Sequence, residues 1–436
     1  ASMILTNTSA ISVAAKETEA EKQYVILAEN DAYEIMGSEL PEDAEKETLE
    51  SDTSLVVATL TEKEARQIEK KENVIIEEDV LLKASEEDDK EYSAEEKRKR
   101  RQEIKEKKKK SLEEAEETED SEKEKTEWNL QAISAENLDV SKDANGKIKV
   151  AVLDSGIDYV TGIDIAGSVN LVEEDEDILP IFQDMTGHGT GIASIIAANG
   201  ENDIKGINPD VELYSVKILD KENSATLSRV IRGIYWCIEN NINIINMSFG
   251  KPFSHHNKWM IAAMKYAEKK GVLLVHAAGN DGMSLDVRDF YPNRYISKNK
   301  TLQNWIAVGS IDMDGNPASS SNYGKREVDL FAPGVNVYST IYDKRFKYRA
   351  MSGTSMATPV VTGVIALIWN YFPELTAEEV KEAVLGGVTS RKGDVGPCPG
   401  NGEKVDFDSL CRTGGIVNAL EAVKLAEKMY VKKFNR

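Results

Sequence analysis

Three residues, far apart in the chain, carry the side chains needed to break an acyl bond. Asp154 ends the run "KVAVLD", His188 sits in "MTGHGTGIASIIAANG", and Ser355 sits in "MSGTSMATP". A serine hydroxyl is a poor nucleophile until a neighbouring base takes its proton. An imidazole serves as that base when a carboxylate fixes its tautomer and orientation. The chain order Asp, His, Ser is one of three in which such triads occur. Each residue taken alone also has a plainer reading. Asp154 suits an Asx-type turn at a strand end, and a row of hydroxyls suits a helix cap.

The surroundings separate the two readings. Glycines flank His188, and an apolar helix begins at once, so backbone can approach closely while the helix start fixes the ring. Ser355 follows Gly353 and Thr354 and precedes "VVTGVIALIW", a helix apolar all round and hence buried. A hydroxyl there faces unpaired N–H groups and the positive end of the helix dipole. A plain cap needs one hydroxyl and no glycine ahead of it. Thr358 is expected to begin the helix, and Pro359 to fall in its first turn, where a missing N–H costs nothing. The other three histidines have less to offer: His255 and His256 read as exposed at a helix start, His276 as a packed core residue.

These groups need elements to hold them. From Trp128 onward, "KIKVAVLD", "VELYSVKIL", "NINIINMSF", "VLLVHAAGN" and "NWIAVGS" are short Val- and Ile-rich runs that end in small or polar residues. Helical patterns lie between several of them: "TLSRVIRGIYWCIEN", and "NKWMIAAMKYAEKKG" with Gly271 as its C-cap. That alternation predicts an α/β fold, a mainly parallel sheet with helices on both faces. Functional groups in such sheets collect beyond the carboxyl ends of the strands, where Asp154 lies.

Ahead of this region the texture differs. Residues 22–85 read as a small mixed α+β domain. "KQYVILAE", "TSLVVATL" and "NVIIEEDVLL" are its strands, and "TEKEARQIEKKE" is a helix capped by Thr61. Residues 86–127 hold a basic block, "KRKRRQEIKEKKKK", followed by an acidic one, with almost nothing apolar to build a core. They read as a charged, protease-sensitive linker. Residues 1–21 read as a leader or signal-peptide remnant, which points to a secreted protein.

Composition narrows the class. The net charge of −22 argues against binding nucleic acid, and no apolar run is long enough to span a membrane. Three cysteines are too few for a disulfide scaffold. Cys237 reads as a buried thiol. Cys398 and Cys411 flank a Gly/Asp-rich loop and are left open between bridged and free.

The blocks "VLDSGID", "GHGTGIAS", "NMSFG", "AAGNDG" and "SGTSMATP" resemble, in order and spacing, the signature of the subtilisin family (subtilases), from about Trp128 to Ala426. The resemblance implies a subtilisin-like catalytic domain over 128–436. It also implies a ferredoxin-like inhibitory propeptide before it, notably in "ATLTEKEARQIEKKENVIIEEDV". It implies a monomeric serine endopeptidase made as a self-processing zymogen, acting on proteins or peptides, with its own propeptide as inhibitor. Ser355 becomes nucleophile, His188 base and then acid, and Asp154 the residue that orients it. Asn280 becomes an oxyanion donor beside the Ser355 N–H, although a turn residue with positive φ is an equally simple reading. Ser248, Phe249 and Gly250 and, opposite them, Ala277, Ala278 and Gly279 would wall the first substrate pocket. Phe290 stands where relatives often have a small residue and would shorten that pocket; alternatively Arg288 would recruit an acidic side chain.

No cofactor is implied for the chemistry. The loop "NGENDIKG" offers Asn199, Glu201, Asn202 and Asp203 as oxygen ligands for a structural calcium, or forms a metal-free polar turn. Ser155 and Gly191 depart from common family choices without touching the chemistry. The charged linker departs further, since propeptides usually end directly before the mature domain. A dedicated maturation protease for one precursor, such as a bacteriocin leader or spore-lytic zymogen, and an inactive binding relative are the alternatives.

Overall fold

The computed structural model describes residues 21–29, 40–41, 44–50, 53–71, 74–84, 127–138, 147–172, 184–201, 203–252, 258–340 and 348–434. The leader, nearly all of the charged linker, and His255 and His256 lie outside them. The chain divides into two compact units, Ala1–Asp79 and Val80–Arg436.

The first unit is an antiparallel four-stranded sheet in the order Glu45–Glu50, Thr53–Thr61, Glu21–Glu29, Val74–Glu78. Its helix, Glu62–Ile68, starts as its sequence requires. Thr61 Oγ1 accepts the Glu64 N–H, and Glu64 reaches back to the Thr61 N–H at 2.8 Å, a capping box. Ala65 and Ile68 on the helix bury against Ile26, Val56, Ala58 and Leu60.

"NVIIEEDVLL", expected as one strand, is two. Val74–Glu78 pairs with Glu21–Glu29, and the Asp79 N–H then bonds to the Gln23 carbonyl at 2.9 Å, closing that ladder. Leu81–Ala84 instead belongs to the second unit, where it lies antiparallel between Ser224–Thr226 and Phe249–Gly250. An apolar run states that a segment will pair. It does not state with what.

The second unit is built on a nine-stranded sheet. Its order is Thr389–Ser390, Gly415–Ile416, Leu330–Pro333, Trp305–Ile311, Leu273–Ala277, Ile244–Met247, Lys149–Asp154, Glu212–Lys217, Ile165–Asn170. Every neighbouring pair is parallel except the first, an antiparallel edge. The chain enters at Lys149–Asp154, fills one side, then crosses to Ile244–Met247 on the other. Asp154 therefore ends a strand at the switch point, where such sheets open a crevice.

Alternation along that strand feeds two faces. Val150 and Val152 join the core formed with the helices His188–Ala197 and Thr354–Tyr371. Leu153 faces the other way, against Gly233 of the helix Leu227–Glu239, where an added Cβ would sit 3.3 Å from its Cδ2. The sheet is thus covered on both sides, as the continuous apolar strands predict.

Cys237 is buried, as expected. Cys398 and Cys411 are both free and buried, in a cluster with Phe331 and Phe407. Among the described residues no helix is long and apolar enough to cross a membrane.

Candidate active site

Asp154 is fully buried, and its Oδ1 accepts from the Ser155 N–H at 2.8 Å and from His188 Nδ1 at 2.7 Å. A carboxylate only accepts, so it is Nδ1–H that faces Asp154, and Nε2 is the other ring nitrogen available for proton transfer chemistry. His188 is the first residue of its helix, preceded by Gly187 at φ 77°. Gly189 is needed for a second reason: a Cβ there would lie 2.1 Å from the Gly156 carbonyl oxygen. Gly189 lets the helix start press against the turn that follows Asp154, as the flanking glycines suggested.

Asp184, four residues before His188, was not singled out by its sequence, yet it organises this corner. Its Oδ1 accepts from Ser155 Oγ at 2.8 Å, from the Thr186 N–H at 3.0 Å and from the Gly187 N–H at 2.9 Å. Its Oδ2 accepts from the Thr190 N–H at 2.8 Å and from Thr190 Oγ1 at 2.7 Å. One buried carboxylate so ties the strand end to both sides of His188. The signal available in the sequence was an acid placed just before a helix whose N-cap residue, Gly187, has no side chain of its own to cap it.

Ser355 lies in the first turn of Thr354–Tyr371, after Gly353 at φ 137°. Two expectations change here. The helix begins at Thr354 rather than Thr358, and Pro359 lies inside it rather than in the first turn. Pro359 has no N–H to give the Ser355 carbonyl, so that carbonyl is open to another donor. Ser248 Oγ supplies the bond at 3.1 Å, while Ser355 Oγ donates to the Ser248 carbonyl at 3.0 Å. Asn246 Nδ2 donates to Ser248 Oγ at 3.0 Å, and Thr362 Oγ1 to Asn246 Oδ1 at 2.9 Å. The proline thus makes the reciprocal Ser248–Ser355 pair possible.

Thr354 links the other wall. Its N–H donates to Asn280 Oδ1 at 2.9 Å, and its Oγ1 accepts the Gly279 N–H at 3.1 Å. The first contact fixes which way the Asn280 amide faces. Ser248, Phe249, Gly250, Ala277, Ala278 and Gly279 are all buried around this position.

Phe290 is 6% exposed, and its ring tip lies between Gly250 and Gly279. A Cβ on Gly250 would meet Phe290 Cε1 at 2.2 Å, and one on Gly279 would meet Cε2 at 2.5 Å. His276 packs behind the ring, 6.0 Å between centroids, and is itself 4.7 Å from Trp305. Burial pushes the His276 pKa down to about 3, against a smaller opposing effect of its hydrogen bond with the Phe249 backbone, so it packs as a neutral ring. Arg288 is exposed and does not line the cleft behind Phe290.

The expected calcium loop closes on itself. Asn199 Oδ1 accepts the Glu201 N–H at 3.0 Å, and the Gly206 N–H bonds to the Ala198 carbonyl at 2.7 Å. Asn202 lies outside the described residues, and among those described no three acidic, His or Cys side chains converge on a metal position.

A buried Asp–His pair stands at the switch point of a parallel sheet, and a buried serine opens a second helix packed on the same core. Residues 145–397 match the subtilase family (peptidase S8). Over 258 residues the chain is 38% identical to the thermostable alkaline protease of Halalkalibacterium halodurans, covering 59% of this chain and 66% of that protein. It is 33% identical to subtilisin DY of Bacillus licheniformis, covering 60% and 91%, and 35% identical to subtilisin E of Bacillus subtilis, covering 60% and 66%. The chain belongs to the subtilase family of serine endopeptidases.

Proposed function

We propose that the protein hydrolyses peptide bonds through an acyl-enzyme, with Ser355 as nucleophile, His188 as base and Asp154 as its orienting carboxylate. The observation that carries this reading is the buried 2.7 Å contact of His188 Nδ1 with Asp154, which leaves Nε2 to receive a proton. Turnover begins when the Ser355 hydroxyl turns from the Ser248 carbonyl toward Nε2. Oγ then adds to the substrate carbonyl as its proton passes to His188. The oxyanion is held by the Ser355 N–H and by the Asn280 amide, whose Oδ1 is occupied by Thr354. His188 returns the proton to the leaving amine. A water then repeats the sequence and releases the acid.

The same reading makes the chain a zymogen, with the first unit as propeptide and Leu81–Ala84 as its tail in the substrate groove. An extended segment paired on both sides is how a sheet edge takes a peptide. Ala84 pairs with Phe249 and Lys83 with Gly250. Phe249, the partner of Ala84, directly follows Ser248, whose carbonyl is bonded by Ser355 Oγ. Self-cleavage is therefore expected at Ser85–Glu86, with further cuts in the charged linker releasing a monomeric enzyme outside the cell, and residues 1–21 serving export.

Intact-mass spectrometry of the full chain beside Ser355→Ala tests this. Wild type should break after Ser85 while the variant stays whole. Two whole proteins would remove the self-processing reading.

A further inference from the structure

We infer that the slot beside Ser355 is closed by Phe290, so that the enzyme accepts only Gly, Ala or Ser immediately before the cleaved bond. This rests on the protease reading above and names its substrate class.

The slot is located by its neighbours. Gly250 pairs with Lys83 of the strand in the groove, and Gly279 is bonded to Thr354, next to Ser355. Two glycines facing each other across a groove leave a gap that could take a side chain from the residue bound between them. Here the gap holds this chain's own aromatic ring, which would come within 2.6 Å of a Cβ on either glycine. Two phenyl rings cannot share it.

The ring has nowhere to go. Tyr291, the next residue, is clamped to Lys251 by two backbone bonds, of 2.8 and 2.9 Å, which pins Phe290 against the strand carrying Gly250. Behind it stand neutral His276 and Trp305. The one deeply buried cation lining the cleft, Arg294, is held by Asp329 at 2.6 Å, so its charge is already matched. Glu327, which also lines the cleft, accepts from the Tyr295 hydroxyl, and Asp289 is exposed, so the slot selects by size rather than by charge. The chain's own segment agrees: the residue that follows Ala84 is Ser85.

The test uses processed full-chain enzyme, with active sites titrated by a fluorophosphonate, and peptides of the form Leu-Lys-Ala-X with X varied. Wild type should turn over X = Ser or Ala at least about 100-fold faster, in kcat/KM, than X = Phe or Leu. Phe290→Gly should lower the Ser-to-Phe ratio of kcat/KM by a similar factor, mainly through a gain for X = Phe. Equal rates for Ser and Phe in wild type would overturn the inference while leaving the protease reading intact. Failure to titrate any site would instead sink the protease reading itself. A check independent of peptides uses the full chain: Ser85→Phe should block self-cleavage, and the double variant with Phe290→Gly should restore it. Cleavage of Ser85→Phe at the wild-type rate would also overturn the inference.

Discussion

Among the described residues, two kinds of helix start stand in contrast. Helices starting after Thr61, Thr226 and Thr376 are capped by the threonine itself, whose hydroxyl accepts an N–H three residues on. Those starting at His188 and Thr354 are preceded by glycines in the positive-φ region and have no side-chain cap. Their first N–H groups still need acceptors. The His188 N–H goes to Thr186 Oγ1 nearby, but that of Gly189 goes to Ser155 Oγ at the end of a strand, and Ser155 Oγ in turn bonds Asp184. Asp184 takes the N–H groups of Gly187 and Thr190, and Asn280 takes that of Thr354. A local cap stabilises its own helix. A remote cap also fixes the distance between two elements, and here those elements carry the groups proposed to react.

The largest effect that would sharpen this contrast is at Asn280, where one side chain is given two tasks. Asn280→Asp keeps an oxygen for the Thr354 N–H but removes the amide protons. Its kcat should fall by about 10²–10³, a range known from the matching donor of a subtilisin, a relative of this chain, with little change in melting temperature. Asn280→Ala should lose as much activity and also about 1 kcal/mol of stability with the cap. If the two variants melt alike, the amide does not cap the helix, and the contrast between local and remote caps loses one of its two cases.

Asp184 should show the next largest effect. Asp184→Asn retains the shape but turns an N–H₂ toward donors that need an acceptor, so His188 should shift relative to Asp154. Misplacement of this kind costs about 10²-fold in turnover. The loss should fall in kcat rather than KM, accompanied by a drop in fluorophosphonate labelling rate. A variant that labels at the wild-type rate would mean that Gly187 and Asp154 alone hold the ring.

Much of this was readable in the residues, because strand ends and glycine-flanked helix starts leave local marks. Asp154, His188 and Ser355 each sit on such a mark. What escaped was tertiary. Pro359 reads as a first-turn proline until the structure shows its missing N–H being used by Ser248, over a hundred residues earlier in the chain. "NVIIEEDVLL" has one apolar texture but serves two sheets, since pattern records burial and not partner. Asp184 has an ordinary sequence context, and its six donors converge only after folding. Phe290 was legible as an unusual residue, but its fit between two glycines depends on backbone positions that spacing does not report.

The smallest effect belongs to a helix with a local cap, and it bounds the others. Thr376 caps Ala377–Gly386 through its own hydroxyl and a reciprocal bond from Glu379. Thr376→Ala removes one acceptor, which should cost about 1 kcal/mol. Because the Thr376 hydroxyl bonds the first turn of its own helix, and the Glu379–Lys433 pair that reaches the C-terminal helix is left in place, kcat and KM should both stay at wild-type values. Denaturant unfolding and peptide turnover measured on the same preparation check this. A fall in kcat comparable to that of Asp184→Asn would show that activity follows overall stability, and that remote caps have no special hold on the site.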